Sequence, residues 1–216
     1  MVSRNFTEVA VILLGITVFL DFDHLPLLAM QILFLNVIGQ EMPAVALGLD
    51  PASEHIMDRP PKNTSLDILH KRNVYFIVPM AIYMAFAAFA AYLYIGPDSN
   101  VALARTVIFS SIVLMIMINT FNFKSLEKTI AEVDWLENKL LWISLATITP
   151  ILLVIIYHPI LAVVFEHEPL AVNHWTIALI VALSTVVIIE VLKKISNSML
   201  DTSYMWKGNL QESSEQ

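Results

Sequence analysis

Apolar residues come along this chain in unbroken runs, separated by short polar stretches. They do not alternate as in a half-buried strand. Six runs stand out, at residues 6–20, 25–49, 74–95, 101–121, 140–157 and 175–192. A helix that crosses a bilayer needs about 20 mainly apolar residues. The pattern therefore predicts an all-α membrane protein, a six-transmembrane-helix bundle over residues 1–198, with a polar tail at 199–216. The first run imitates a secretion signal, since Arg4 precedes an apolar stretch. Leu20, however, is followed by Asp21-Phe22-Asp23-His24, with no small-residue cleavage site, so the run is read as a retained helix. About four residues separate it from the second run, which predicts a tight antiparallel hairpin. The stretches between and after the runs are too short to bury a core of their own. No soluble catalytic domain is expected.

Composition sharpens this picture. Of 216 residues, 57% are hydrophobic and 14% are charged, against about 25% charged in soluble domains. The absence of cysteine excludes disulfide scaffolds, thiolate zinc sites and iron–sulfur clusters. The net charge of −7, with no basic stripe, does not suggest a nucleic-acid binder. Basic residues are distributed unevenly. Arg4 precedes the first run. Arg59, Lys62, Lys71 and Arg72 lie between the second and third. Lys124, Lys128 and Lys139 lie between the fourth and fifth, and Lys193, Lys194 and Lys207 follow the sixth. Only Arg105 falls on the other side, where Asp21, Asp23, Asp98, Glu166 and Glu168 sit. The positive-inside rule then predicts that both termini are cytoplasmic. Tyr92, Tyr94, Trp135, Trp142, Tyr157 and Trp175 near the run ends suit interfacial belts. No nucleotide-binding glycine motif occurs, and no cofactor is implied.

Polar residues inside apolar runs are functional candidates, because lipid makes them costly. Asn5 and Glu8 stand at i and i+3 in the first run, and Asn36 and Gln40 at i and i+4 in the second; each pair shares a helix face. Gly39 leaves room beside the second pair, and Pro43 withholds a backbone hydrogen bond one turn later. Freed carbonyls beside side-chain oxygens are what a dehydrated cation needs. Asn5, Glu8, Asn36 and Gln40 are therefore candidate ligands of a transported cation. Glu41, one residue on, points about 100° around the helix, and joins only if unwinding near Pro43 turns it inward. Plainer readings stand beside these: Glu8 as an interfacial residue, Asn36 and Gln40 as helix-to-helix hydrogen bonds. Asn119 and Asn122 read as caps or interface residues, and Glu190 as an ion-pair partner of Lys193 or Lys194. His24, His158, His167 and His174 read as solvated loop residues, since their spacing fits no metal motif. Ala81, Ala85 and Ala88 form a small-residue packing stripe, and Met115 and Met117 are filler.

One stretch is more specific. Asn36-Val-Ile-Gly-Gln40-Glu-Met-Pro43 through Asp50-Pro51, followed by Met57-Asp58-Arg59-Pro60-Pro61-Lys62, strongly resembles calcium-pump-like cation-transporting P-type ATPases, at their sixth membrane helix and the loop after it. Asn5-Phe-Thr-Glu8 resembles the ligand-bearing part of the fifth helix. Ala104-Arg105-Thr106 through Asn122 resembles the eighth, and Tyr157-His-Pro159 through Trp175 the link between ninth and tenth. Glu190-Val-Leu-Lys193 resembles the end of the tenth.

The resemblance implies the C-terminal membrane domain of such a pump, helices five to ten, in which Asn5, Glu8 and Asn36 carry over as ion ligands. This chain departs from the pattern where the sixth helix usually has aspartate (Gln40), glycine (Glu41) and a hydroxyl residue (Gly39). It departs again at Ile116, a position acidic in some calcium pumps. One carboxylate among amides implies a monovalent ion or a proton more than calcium, which favours six to eight oxygens and more negative charge. The family's phosphorylated aspartate, nucleotide domain and actuator precede this region, so the chain is expected to show no ATPase activity alone. The leading expectation is part of an ion site in a multi-pass protein of the cell membrane. Its partners would be the lipid bilayer and a chain, or a longer parent, carrying the N-terminal half of the pump. The alternatives are a free-standing scaffold or regulatory subunit derived from a pump, and a small ATP-independent channel or carrier.

Overall fold

The computed structural model describes residues 2–50, 71–124 and 137–199. The 57–62 motif, with Arg59 and Lys62, lies outside the described residues, as do Lys128, Trp135, Lys207 and the tail. Every regular element among the described residues is helical: α1 (Val2–Phe19), α2 (Ala29–Phe34), a π-helical turn (Leu35–Gln40), α3 (Glu41–Gly48), α4 (Lys71–Ile95), α5 (Val101–Lys124), α6 (Lys139–Tyr157), α7 (Pro159–Val164) and α8 (Val172–Met199). The segment from α2 to α3 is one interrupted rod. Among the described residues, five stretches are long and apolar enough to cross a membrane: Ala29–Gly48, Ile77–Ile95, Val101–Asn122, Lys139–Tyr157 and Val172–Ile195.

The first connection is longer than the apolar pattern predicts. α1 ends at a left-handed residue, Leu20 (φ 58°), and helix resumes only at Ala29. Pro26 accounts for the delay, because it steers the residue before it away from helical dihedrals. Pro26 lies against Gly15 of α1, where a Cβ would stand 2.3 Å from the Pro26 Cδ. The hairpin's close approach thus depends on the missing side chain.

α5 is the central rod, packed chiefly between α4 and α8. It is apolar all round, as a helix enclosed by protein must be, and Ala104, Val107, Ile108, Phe109, Ile112, Val113, Met115 and Ile116 are buried. Three of its hydroxyls are met locally: Thr106, Ser111 and Thr120 donate to the carbonyls of Ala102, Val107 and Ile116, at 2.8, 2.7 and 2.6 Å, while the buried Ser110 hydroxyl has no partner among the described residues. Such back-bonding lets polar groups sit in an apolar bundle. Ala81, Ala85 and Ala88 are all buried on α4, as a packing stripe requires, and α1 lies along that helix. Thr7 ties the two by donating to the Ala81 carbonyl at 3.3 Å.

Both ends of the bundle are pinned by buried polar side chains. At one end, Arg105 donates to the carbonyls of Leu25 (2.8 Å) and Asp23 (2.6 Å) and pairs with Glu166 (3.0 Å). Asn100 reaches Glu168, whose N–H donates to Thr106. Tyr92, expected in an interfacial belt, is instead fully buried and donates to the His24 carbonyl at 2.8 Å. At the other end, Asn138 caps α6 through the Leu141 N–H (3.0 Å) and donates to both Ala46 and Asp50 (2.8 Å each). Lys124 closes this end between Glu137 (2.7 Å) and Asp50 (3.6 Å).

His167 corrects another expectation. It is not a solvated loop residue: 7% of it is exposed, its ring lies 4.6 Å from Phe109 and 5.7 Å from Phe165, and neither ring nitrogen has a hydrogen-bond partner. Loop position in sequence does not reveal this, because the chain dips back into the bundle after α7. His24 is half-buried on Asp21 and Phe19, at 2.9 and 4.9 Å.

Two predictions follow from this packing. Gly15→Val should lower the thermal midpoint in detergent, by about 1–3 kcal/mol of overpacking. An unchanged midpoint would show that the Pro26 contact has room. Burial holds His167 down to about 4, from an ordinary 6.5. The unfolded chain therefore binds a proton that the folded chain refuses, and stability falls as pH drops from about 6.5 to about 4, by about 3 kcal/mol. Scanning the thermal midpoint against pH should show this loss in the native chain, and His167→Leu should remove that part of the slope.

Candidate functional site

The site is built from two helices that scarcely touch through their backbones. On α1, Arg4, Thr7, Glu8 and Val11 are buried, an i, i+3, i+4, i+7 stripe. Asn5, Phe6 and Val9 are exposed. Glu8 thus faces into the bundle in the first turns of α1, with 4% exposure, and the interfacial reading is set aside. Asn5 does not follow it. Three residues are about 300° of helix rotation, and the remaining 60° put Asn5 on the exposed flank.

Opposite Glu8 stands the π turn. Pro43 cannot offer the N–H that would bond the Gly39 carbonyl in a regular helix, and Gln40 departs from helical dihedrals at φ −101°. Such wide turns recur at functional sites. This one presents Asn36 and Gln40 together. Asn36 Nδ2 donates to Glu8 Oε2 at 2.9 Å and Gln40 Nε2 to Glu8 Oε1 at 2.8 Å, so each carboxylate oxygen receives one amide. Gln40 Nε2 also lies 3.2 Å from Asn36 Oδ1, and Asn36 Nδ2 donates to the Ile32 carbonyl at 3.0 Å. Three of the four residues expected as ligands are therefore in one cluster.

The wall beside the cluster is Gly39 and Ile116. A Cβ on Gly39 would stand 3.7 Å from Ile116 Cδ1, an ordinary contact. Glu41 stays out: it is exposed and lines an apolar groove with Met42, Val45, Leu140 and Ile143. The widened turn ends one residue before it, and the unwinding that would turn it inward does not occur. No group of three His, Cys, Asp or Glu side chains suited to a metal occurs among the described residues. The cluster's chemistry is one carboxylate and two amides.

Other polar candidates resolve differently. Asn119 and Asn122 are not caps, since α5 continues to Lys124. Both are buried: Asn119 donates to Thr185 of α8 at 2.6 Å, and Asn122 donates to Asn119 at 3.2 Å. Glu190 and Lys193 pair at 3.7 Å as expected. The residue that sequence reasoning passed over is Arg4, read only as a flanking charge. It is 4% exposed, one turn from Glu8, and its Nη2 lies 3.5 Å from Thr120 Oγ1. The signal was its place in the buried stripe with Thr7, Glu8 and Val11.

Comparison with known proteins points the same way. The family model described as "Cation transporting ATPase, C-terminus" matches residues 24–195, from just after α1 to the last turn of α8. A calcium-transporting ATPase of Bacillus subtilis (strain 168) is 27% identical over 161 residues, which are 74% of this chain and 18% of that protein. The human calcium-transporting ATPase type 2C member 1 is 28% identical over 191 residues, 88% of this chain and 21% of that protein. A plasma membrane-type calcium-transporting ATPase 4 of Arabidopsis thaliana is 28% identical over 176 residues, 78% of this chain and 17% of that protein. The chain spans about a fifth of the length of these relatives.

The geometry sets an order among variants. Glu8→Ala takes one acceptor from buried Gln40 and one from half-buried Asn36 and should cost about 1–3 kcal/mol in detergent unfolding. Glu8→Gln keeps an acceptor and should cost clearly less, while Gly39→Ser should fall within about 1 kcal/mol of the native chain. Equal losses for Glu8→Ala and Glu8→Gln would mean that the amides do not depend on Glu8.

Proposed function

We propose, from the premise that this chain belongs to the family of cation-transporting ATPase C-terminal membrane domains, that it supplies part of the transported-cation site of an ATP-driven pump. The observation that carries this reading is the clasp of the Glu8 carboxylate by Asn36 and Gln40 across two helices, at the one place where the second helix widens. A half-turn of each amide exchanges its NH2 for its oxygen, and the clasp becomes a ring of oxygens around a dehydrated ion. Asn5, at the exposed rim, joins as a further oxygen donor when another part of the pump covers that flank. The cluster has no nucleophile activated by a base and no phosphate cradle, so its role is to hold cargo. The phosphorylation and nucleotide machinery comes from a longer parent protein or a second chain.

In this reading α1 is the sixth membrane span. Both termini and residues 51–70 face the cytoplasm, because eleven of the twelve basic residues fall on that side. The protein works in the cell membrane. The calcium-transporting ATPases it resembles are named for calcium, yet this chain offers one carboxylate at the cluster, where an aspartate in place of Gln40 would add a second. Support for cation transport thus comes from the family and the clasp, and the charge of the cargo is set by this chain's own substitutions.

Transport by the chain expressed with the N-terminal half of a family pump tests the proposal. Glu8→Gln should reduce ion-dependent transport at least about tenfold, the usual order for losing a charged ligand group. Gln40→Asp should move preference toward divalent ions. Normal transport by Glu8→Gln would reduce the cluster to helix packing and remove the proposal.

A further inference from the structure

Gln31 stands at the head of the second rod, wholly buried although it lies in an apolar run. Both ends of its amide are engaged. Oε1 accepts from the Leu28 N–H at 3.1 Å, at the start of α2, and Nε2 donates to the Phe165 carbonyl at 2.9 Å. Phe165 caps the C-terminal end of α7, where carbonyls have no partner within the helix. The connection that carries this carbonyl is itself fixed. The His167 N–H donates to the Ala162 carbonyl at 2.8 Å, Glu166 pairs with Arg105, and the Glu168 N–H donates to Thr106. Gln31 thus ties the rod to a part of the frame that is held independently of it.

The rotation of this rod matters because the clasp lies beyond a break in it. Gln40 follows Gln31 by nine residues, which in an uninterrupted α-helix is about 900° and sets the two side chains on opposite faces. The π turn holds one residue more than an α turn, which takes about 100° from that angle and brings Gln40 round to the covered side. Both residues are accordingly buried. A widened turn sets only the angle between the parts of the rod above and below it. The absolute direction of Asn36 and Gln40 needs an anchor above the turn. Phe34 packs there on Phe109 and Phe165, with ring centroids 5.4 and 6.3 Å away, but apolar contact is non-directional. The two hydrogen bonds of Gln31 are directional. We propose that Gln31 is the positioning residue of the clasp: by bonding the connection after α7 it sets the rotation in which the π turn delivers Asn36 and Gln40 to Glu8. Gln31 touches no cargo. Its consequence for transport rests on the reading of that cluster as the cargo site, whereas its effect on the rod does not.

The chain has no cysteine, so a pair introduced by Gly39→Cys and Ile116→Cys reports this rotation directly: a Cβ on Gly39 stands 3.7 Å from Ile116 Cδ1. The measurement is the rate at which a short bis-thiosulfonate cross-links the pair in the full chain in detergent. Gln31→Leu, which keeps the volume and loses both hydrogen bonds, should slow it at least about fivefold in the folded fraction, as the rod populates other rotations. Thr185→Val, which removes the link between α5 and α8, should lower the thermal midpoint and leave the cross-linking rate unchanged. If Gln31→Leu does not fold, Gln31→Asn, which keeps the amide and is one methylene short of spanning both partners, should show a smaller slowing. Cross-linking at the native rate in the variant that folds overturns the proposal, and so does an equal slowing by Thr185→Val, which would make lost stability the cause. In transport with the N-terminal half of a family pump, Gln31→Leu should raise the ion concentration for half-maximal transport about tenfold and keep the maximal rate, the split expected of lost binding. If the cross-link slows and transport is unaltered, the positioning of the rod stands and it is the cargo-site reading that fails.

Discussion

A carboxylate inside an apolar bundle must be met by hydrogen-bond donors, because no water competes to solvate it. Glu8 is met by two amides from another helix, and much of the local structure serves that meeting. The donors lie four residues apart in a π turn that contains Gly39 and is followed by Pro43, which cannot complete a regular ladder. The tight passage of Pro26 over Gly15 brings the second helix back beside α1. Ile116 of the central rod closes the remaining side. A buried charge is thus the reason for a backbone irregularity that would otherwise only weaken a membrane helix.

The bundle tolerates this irregularity because its frame is held elsewhere. α5 satisfies three of its hydroxyls on its own carbonyls, and both α4 and α8 pack on it. Arg105 fastens two connections at one end, while Asn138 and Lys124 fasten three helix termini at the other. Between these clamps, the π turn is free to be shaped by side-chain chemistry. Buried Asn119 and Thr185 add a polar link between α5 and α8 within the same frame.

The departures from the family pattern fall together in space. Gln40 is in the clasp, Ile116 and Gly39 form its wall, and Glu41 remains outside it. Amide, aliphatic and glycine residues thus stand where an acidic set would place further negative charge beside Glu8. Electrostatics in a low-dielectric space depends on the sum of such groups more than on any one of them.

The sequence by itself determined the class of the protein. Apolar runs long enough to span lipid, interrupted by polar connections, admit helices only, since lipid leaves no other way to satisfy the backbone. The limits of α4, α5 and α6 lie within three residues of those runs, while α8 continues seven residues past its own. Glu8, Asn36 and Gln40 were legible as residues that must find partners, because a polar residue in an apolar run is costly. Rotation about each helix axis was not legible. A spacing of three residues left Asn5 on either side of a face boundary, and only packing of α1 on α4 placed it outside while drawing Arg4 in. Loop membership likewise suggested solvation for His167 and a belt position for Tyr92, whereas the folding of connections over the bundle end buried both. Sequence spacing fixes which residues can share a face; which face is covered is decided by neighbours distant in the chain, and that is a property of the assembled helices.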